Sequence, residues 1–274
     1  MFQVGITTGY GLTVDPQTLA DMKESGIDFI ELSLGREYDV SFQQIGQMTR
    51  EAGIGIWSSH LPFRPVDQVD ISLESLELRR HTVARFSELI RQVSDLGVDK
   101  FVLHPSTPLP EGCDRAERKK CAMDTMDKLA EVAHSCGAVI AMEDMTLRCL
   151  GNSAEELREM LAGNDKLRVC FDTNHLFGNT HEDFVRQLGD KIVTVHISDY
   201  TEDGEKHWFP GEGIVPWRSI PKLLQDAGYQ GVWLYELSLN GAKSVDRGRP
   251  LTFRDFRRNA DEIFAGKTPT VIKL

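Results

Sequence analysis

Cysteine is scarce and unpaired in this chain: there are five, at positions 113, 121, 136, 149 and 170. The odd number and the absence of any C-x-x-C pair argue against a disulfide frame or a cysteine zinc site, and favour reduced thiols in a cytosol. Long apolar runs are missing too, since no stretch approaches the roughly 18 uninterrupted apolar residues of a membrane span. The opening MFQVGITTGYG has neither the basic start nor the apolar run of a signal peptide. A cytoplasmic location without a membrane partner is therefore expected. Basic charge is in short supply: the formal net charge is −11. That opposes an extended nucleic-acid surface, because phosphate contacts depend on a basic footprint, but leaves a small anionic ligand open. No Gly-rich fingerprint follows the first apolar run at the spacing of a dinucleotide site.

What is present is a regular alternation. With 41% apolar and 27% charged residues the chain has an ordinary globular balance. Its 274 residues suit a single α/β barrel as well as two smaller domains. Eight apolar, strand-like runs occur: FQVGIT (2–7), DFIELSL (28–34), GIGIWSSHL (53–61), DKFVLHPS (99–106), AVIAMEDM (138–145), LRVCFDTN (167–174), IVTVHISD (192–199) and GVWLYELS (231–238). Amphipathic helical candidates lie between them, at 16–26, 72–97, 115–137, 153–163, 181–189, 215–229 and 252–266. Ser153 followed by Glu156 fits a capping box. Parallel strands need crossovers, so strict alternation predicts a parallel sheet covered by helices. Eight repeats suggest closure into a (β/α)8 TIM barrel, with an open doubly wound sheet as the competitor. No linker or low-complexity block divides residues 1–274, which read as one domain, and the tail KTPTVIKL is expected to dock on a neighbouring element.

Polar residues break the apolar runs at one end. His60, His104, Glu143, Asp172, His196 and Glu236 fall at or near the ends of strand candidates three to eight, with His175 just beyond Asp172. In a parallel barrel those ends share the face where barrel enzymes carry their chemistry. Alternation sharpens the point: Val232 and Leu234 align with Glu236, Val139 and Ala141 with Glu143, and Ile192 and Thr194 with His196. If the bulkier alternate residues face the helices, the polar ends point into the barrel mouth. A single polar residue there is usually a helix cap or a solvated loop residue, and a lone histidine is usually hydrogen-bonded structure. Seven together are different, because three carboxylates on a narrow rim repel one another without a counterion. Three carboxylates and an imidazole suit one divalent metal ion, with Mn²⁺ first and Mg²⁺, Co²⁺, Fe²⁺ or Zn²⁺ as alternatives.

MEDM with Glu143, FDTNH with Asp172 and His175, VHISD with His196, KHWFPGEG with His207, and YELS with Glu236 resemble the xylose isomerase-like TIM barrel superfamily. This family includes sugar phosphate isomerases and epimerases and the apurinic endonucleases, and the resemblance runs from Phe2 to about Gly266. It implies that Glu143, Asp172, His196 and Glu236 are metal ligands and that Glu143 and Glu236 are also the catalytic pair. It further implies that His60, His104, His175 and His207 contact substrate. The expected activity is isomerisation or epimerisation of a sugar, keto-sugar or sugar phosphate. A carbonyl and neighbouring hydroxyl chelate the metal, one carboxylate removes the intervening proton, and an enediolate forms. Return of the proton to the opposite face epimerises; return at the adjacent carbon isomerises.

Two other enzyme readings share the site. A lyase or dehydratase acting on a keto-cyclitol or oxidised glycoside would expel a β-leaving group from the same enediolate. Phe63, Trp208 and Phe209 could stack on a sugar ring or aglycone there, or could simply pack loops together. The apurinic endonuclease reading would use the eight residues around three metals. Glu205 stands where that branch has aspartate, which puts the third metal in doubt, and the −11 charge opposes DNA. Some ketose 3-epimerases carry an arginine soon after the strand-seven histidine, and ISDYTEDGEKH has none. Arg36 and Arg64 could reach a phosphate or equally be surface charges, GEG (211–213) is a weak phosphate signal, and Glu31 could orient a ligand, with a structural role the favoured one. A non-enzymatic barrel should have lost ligands, and none of the four is missing. The expected partner is a small carbohydrate, with a homo-oligomer, dimer or tetramer, as the default assembly.

Overall fold

A computed structural model describes residues 2–176 and 180–274. Eight parallel strands form one sheet: β1 (Gln3–Thr7), β2 (Phe29–Ser33), β3 (Gly55–His60), β4 (Lys100–Leu103), β5 (Val139–Glu143), β6 (Leu167–Asp172), β7 (Ile192–His196) and β10 (Val232–Tyr235). From β1 to β7 each strand pairs with the next, and β10 pairs with β1. Closure occurs where Ile197, just after β7, bridges Tyr235. Its amide donates to Leu234 O at 2.8 Å and its carbonyl accepts from Glu236 N at 3.1 Å. The sheet is thus the (β/α)8 barrel that the alternation predicted.

The helices are α1 (Pro16–Glu24), α2 (Phe42–Ala52), α3 (Val66–Val69), α4 (Leu76–Ser94), α5 (Arg115–Ser135), α6 (Ala154–Leu161), α7 (His181–Leu188), α8 (Ile220–Asp226) and α9 (Phe253–Phe264). The sequence reading did not assign α2. Its start signal is nevertheless local, a capping box in which Ser41 Oγ accepts from Gln44 N and Gln44 Oε1 from Ser41 N, and Gly53 (φ 67°) closes it. Only half of the expected box at α6 forms. Ser153 Oγ accepts from Glu156 N, while the Glu156 carboxylate accepts instead from Arg115 and Gly151 N. A guanidinium from α5 is the stronger partner for that carboxylate. Among the described residues no helix is long and apolar enough to cross a membrane.

Strand alternation divides the apolar residues. Ile140, Met142, Phe171, Trp233 and Tyr235 join the core between barrel and helices, while Val102, Ala141 and Cys170 form a small cluster inside the barrel. Large side chains fill the thick outer layer, where burial of each contributes ~1.5–3 kcal/mol. The narrow interior takes small ones, and at Gly5 an added Cβ would lie 2.8 Å from Leu234 Cδ1.

The expected alignment of Ile192 with His196 is wrong. Ile192 belongs to the outer core and Val193 packs on the interior cluster. A register shift between Val169 and Cys170 inserts one residue in β7 and restores the phase, pairing Asp172 with His196. A similar shift between Ile30 and Glu31 pairs Glu31 with Ser58. The segment expected as a loop after β7 is an antiparallel hairpin of β8 (Asp199–Thr201) and β9 (Gly204–Trp208). The C-terminal tail docks on its own chain, with Leu274 N donating to Asp246 O.

Candidate functional site

The parallel strands deliver their last residues to one end of the barrel. His60, Glu143, Asp172 and His196 end β3, β5, β6 and β7, and His104 and Glu236 follow β4 and β10 by one residue. His196 Nδ1 lies 3.0 Å from Glu143 Oε1 and 3.3 Å from Glu236 Oε2. Glu143 Oε2 is 3.0 Å from His104 Nε2 and 3.2 Å from His60 Nε2. Ligand-capable atoms of Glu143, Asp172, His196 and Glu236 all lie within 4.8 Å of one another.

The electrostatics of this group are strained in opposite directions. Burial pushes the Glu143 carboxyl up, but His196 and His104 outweigh it and hold it well below the usual range. Burial likewise opposes ionisation of Glu236, yet His196 and His207 bring it down to about 2. Asp172 goes the other way: burial raises it, and Glu236 and Glu143 add to the rise against His175. Asp172 Oδ2 and Glu236 Oε2 are buried and accept no hydrogen bond, although an imidazole Nδ1 lies 3.3 Å from each, that of His175 and of His196. Buried carboxylate oxygens without donors are costly, and a divalent cation among these three carboxylates and one imidazole would satisfy both. The donor set therefore fits a metal.

The remaining histidines complete two flanking groups. His60, His104 and Glu143 form one; His175, Glu205 and His207 form the other. His207 sits on β9 with φ 50°, a left-handed backbone unusual for a non-glycine residue. Its Nε2 is 2.7 Å from Glu205 Oε1, and His175 Nε2 is 3.7 Å from the same oxygen. The imidazoles of His175 and His207 beside it hold the Glu205 carboxyl far below its usual range. Glu205 thus lies beside both histidines, at the position where the endonuclease branch has aspartate. All eight residues singled out in the sequence converge here.

Several supports were not legible. Asp144 accepts from Asp172 N at 2.7 Å, and its carbonyl lies 2.8 Å from His175 Nδ1, so one residue orients two others. Burial pushes its carboxyl up to about 7. Tyr10 lines the site with its ring 5.1 Å from His207. The sequence signal for Tyr10 is only its place after the first strand. Glu31 Oε2 lies 3.1 Å from His196 Nε2. Arg36 donates Nη1 to Thr8 O and Leu12 O and does not line the cavity. GEG is a packed joint: Glu212 pairs with buried Arg247, and Gly213 abuts Tyr200 O. Phe209 is not at the mouth but buried against Tyr235 and Phe256. The site opens into a cavity of about 420 Å³ lined by Phe63 and Arg64 but not by Trp208.

A TIM barrel with a carboxylate and histidine site at the C-terminal ends of its strands defines a class. The chain belongs to the xylose isomerase-like TIM barrel family, whose model matches residues 19–250. It is 24% identical over 229 residues to the D-psicose 3-epimerase of Enterocloster bolteae, covering 77% of this chain and 72% of that protein. It is 26% identical over 187 residues to a probable endonuclease 4 of Citrifermentans bemidjiense, covering 59% of this chain and 65% of that one. Among solved structures, the 3-keto-D-glucoside 4-epimerase from E. coli superposes with a TM-score of 0.76 at 16% identity, over 97% of this chain and 100% of that chain.

Proposed function

We propose that residues 1–274 act as one domain and form a divalent-metal-dependent epimerase or isomerase of a sugar, keto-sugar or sugar phosphate. The observation that carries this reading is the pair of buried oxygens that accept no hydrogen bond, Asp172 Oδ2 and Glu236 Oε2, inside the cluster of four ligand residues. Relatives named as sugar epimerases support a small carbohydrate as the substrate. Glu143, Asp172, His196 and Glu236 would hold the ion, with Mn²⁺ first among the candidates. When bound, it would polarise the substrate carbonyl and offset charge developing on the substrate oxygens.

Everything else falls to the side chains. Glu143 and Glu236 are both held in the ionised form at neutral pH, the state required of a proton acceptor. One removes the proton from the carbon beside the carbonyl, giving an enediolate. The other, after taking up a proton from solvent, delivers it to the opposite face, which epimerises; return of the abstracted proton by the first carboxylate to the adjacent carbon isomerises. His60, His104, His175 and His207 surround the reacting atoms and would bind the substrate hydroxyls. Burial pushes His104 down, keeping it neutral. The test is metal content by mass spectrometry together with NMR detection of solvent deuterium entering the substrate. Near one ion per chain and exchange beside the carbonyl are expected. No exchange with any ketose, sugar phosphate or oxidised glycoside by the metal-loaded protein would overturn the reading.

A second reading is favoured by the two flanking histidine groups, which could hold two more ions as an apurinic endonuclease would require. The −11 charge opposes it. Two or three ions per chain with cleavage of abasic duplex DNA would establish it instead.

A further inference from the structure

The cavity above the site has two chemically distinct parts. Its floor is polar and made of Glu143, Glu236, Glu205 and the histidines. Its rim is apolar. Seven large apolar residues are exposed among the described residues, and three of them, Tyr10, Phe63 and Val66, line this one cavity. Leu147, exposed as well, directly follows the lining residue Thr146. Exposed apolar surface gathered around a polar well marks a ligand contact rather than chance exposure.

Phe63 joins the two parts. Its ring stacks on His104 at 5.0 Å and meets His60 edge-on at 5.4 Å. Any group attached to a sugar seated on the floor therefore meets an aromatic surface immediately beside it. The charge of the rim points the same way. Arg64 is the only lysine or arginine among the described lining residues, and its guanidinium lies 5.9 Å over the Phe63 ring. Arg36 is committed to backbone carbonyls. One exposed guanidinium facing a floor of carboxylates is a poor phosphate site, which ordinarily gathers several charged or bidentate donors. It is a good flat surface for a ring to lie against.

Resting on the epimerase reading above, we propose that the substrate is an uncharged glycoside rather than a free ketose or a sugar phosphate. Its ketone-bearing sugar ring occupies the floor, and its aglycone or second sugar packs against Phe63, Val66 and Tyr10. The glycosidic bond is untouched: one C–H bond beside the ketone breaks and one re-forms, so atoms and electrons balance without a co-reactant. Phe63 and Val66 are then specificity-determining residues.

The test uses the Mn²⁺-loaded protein with three substrates: a phenyl 3-keto-glucoside, a free ketohexose and a ketohexose 6-phosphate. Solvent deuterium uptake is followed by NMR, and calorimetry measures binding of phenyl glucoside, which cannot react. The glycoside is expected to exchange with kcat/KM at least about tenfold above the ketohexose, and the phosphate more slowly than either. Phe63→Ala and Val66→Ser should each weaken phenyl glucoside binding and bring the glycoside-to-ketohexose ratio toward one. The second variant guards against a disturbance of His104 by the first. A ketohexose or phosphate that exchanges as fast as the glycoside, or phenyl glucoside binding indifferent to both variants, would overturn the proposal and leave the epimerase reading intact. Exchange in none of the three, with rim-dependent phenyl glucoside binding, would overturn the epimerase reading and support the rim assignment alone.

Discussion

His196 Nε2 lies 3.1 Å from Glu31 Oε2, and both side chains are wholly buried. Glu31 also accepts from Thr7 Oγ1 at 3.1 Å and Ser58 Oγ at 2.7 Å, so its carboxylate is held by three strands at once. With Nε2–H directed at Glu31, the Nδ1 edge of the ring is left facing Glu143 and Glu236. A carboxylate behind a ligating imidazole fixes its ring orientation and tautomer. Glu31→Gln is expected to weaken divalent-metal binding by about 10–100-fold, measured by calorimetry on the stripped protein. Unchanged affinity would reduce Glu31 to a packing residue.

Glu143 and Glu236 are expected to differ from the other site residues in what their loss does to proton transfer. Glu143→Gln and Glu236→Gln should each lower kcat by about 10²–10⁴, the usual worth of a positioned acid–base group. Metal content, measured in parallel, separates lost proton transfer from lost metal. Near-normal turnover by either variant on the true substrate would remove that residue from the catalytic pair.

Gly213 has no room for a side chain. An added Cβ would lie 2.2 Å from Tyr200 O and 2.4 Å from Asp199 Oδ1, and Asp199 is the buried acceptor for Gly211 N, Val215 N and Trp217 Nε1. Gly213→Ala should therefore cost about 1–3 kcal/mol and displace the hairpin carrying Glu205 and His207. A urea midpoint equal to that of the parent protein would contradict this.

Acid stability has a local contributor at α9. Burial raises the Asp255 carboxyl, but hydrogen bonds from Arg249 and Thr252 outweigh it and bring it down to about 2, against 3.8 for the free side chain. A lowered folded value means that the stabilisation is complete above the unfolded value and is lost as pH falls from 3.8 toward 2. Asp255→Asn should lower stability at pH 7 by about 1 kcal/mol and flatten its pH dependence in that window. Parallel pH–stability curves for the two proteins would rule this out.

The fold and most of the site were legible because both follow from local periodicity. Alternating residues such as Ala141 and Glu143, or Leu234 and Glu236, declare a strand with an inward face, and the polar member at its end declares the mouth. The misses have physical reasons. The α2 helix carries a glycine, Gly46, in its interior, which weakens a helical pattern, and its Ser41–Gln44 cap was its best signal. Ile192 was given the wrong face because an inserted residue in β7 leaves no mark in composition. Phe209 and Trp208 were candidates for the mouth because a chain position does not say which side of a hairpin a ring will take.

By itself the sequence determined the number of barrel strands, the inward phase of most of them and the eight polar residues at or beyond their ends, since each depends on neighbours two to four positions apart. Only the tertiary structure decided which of those residues touch. It assigned Glu31 to His196 across 165 positions, Arg36 to backbone carbonyls rather than to a ligand, and Glu205 to two histidines. Such pairings are set by barrel closure and strand register, which bring distant segments together and which no local pattern encodes.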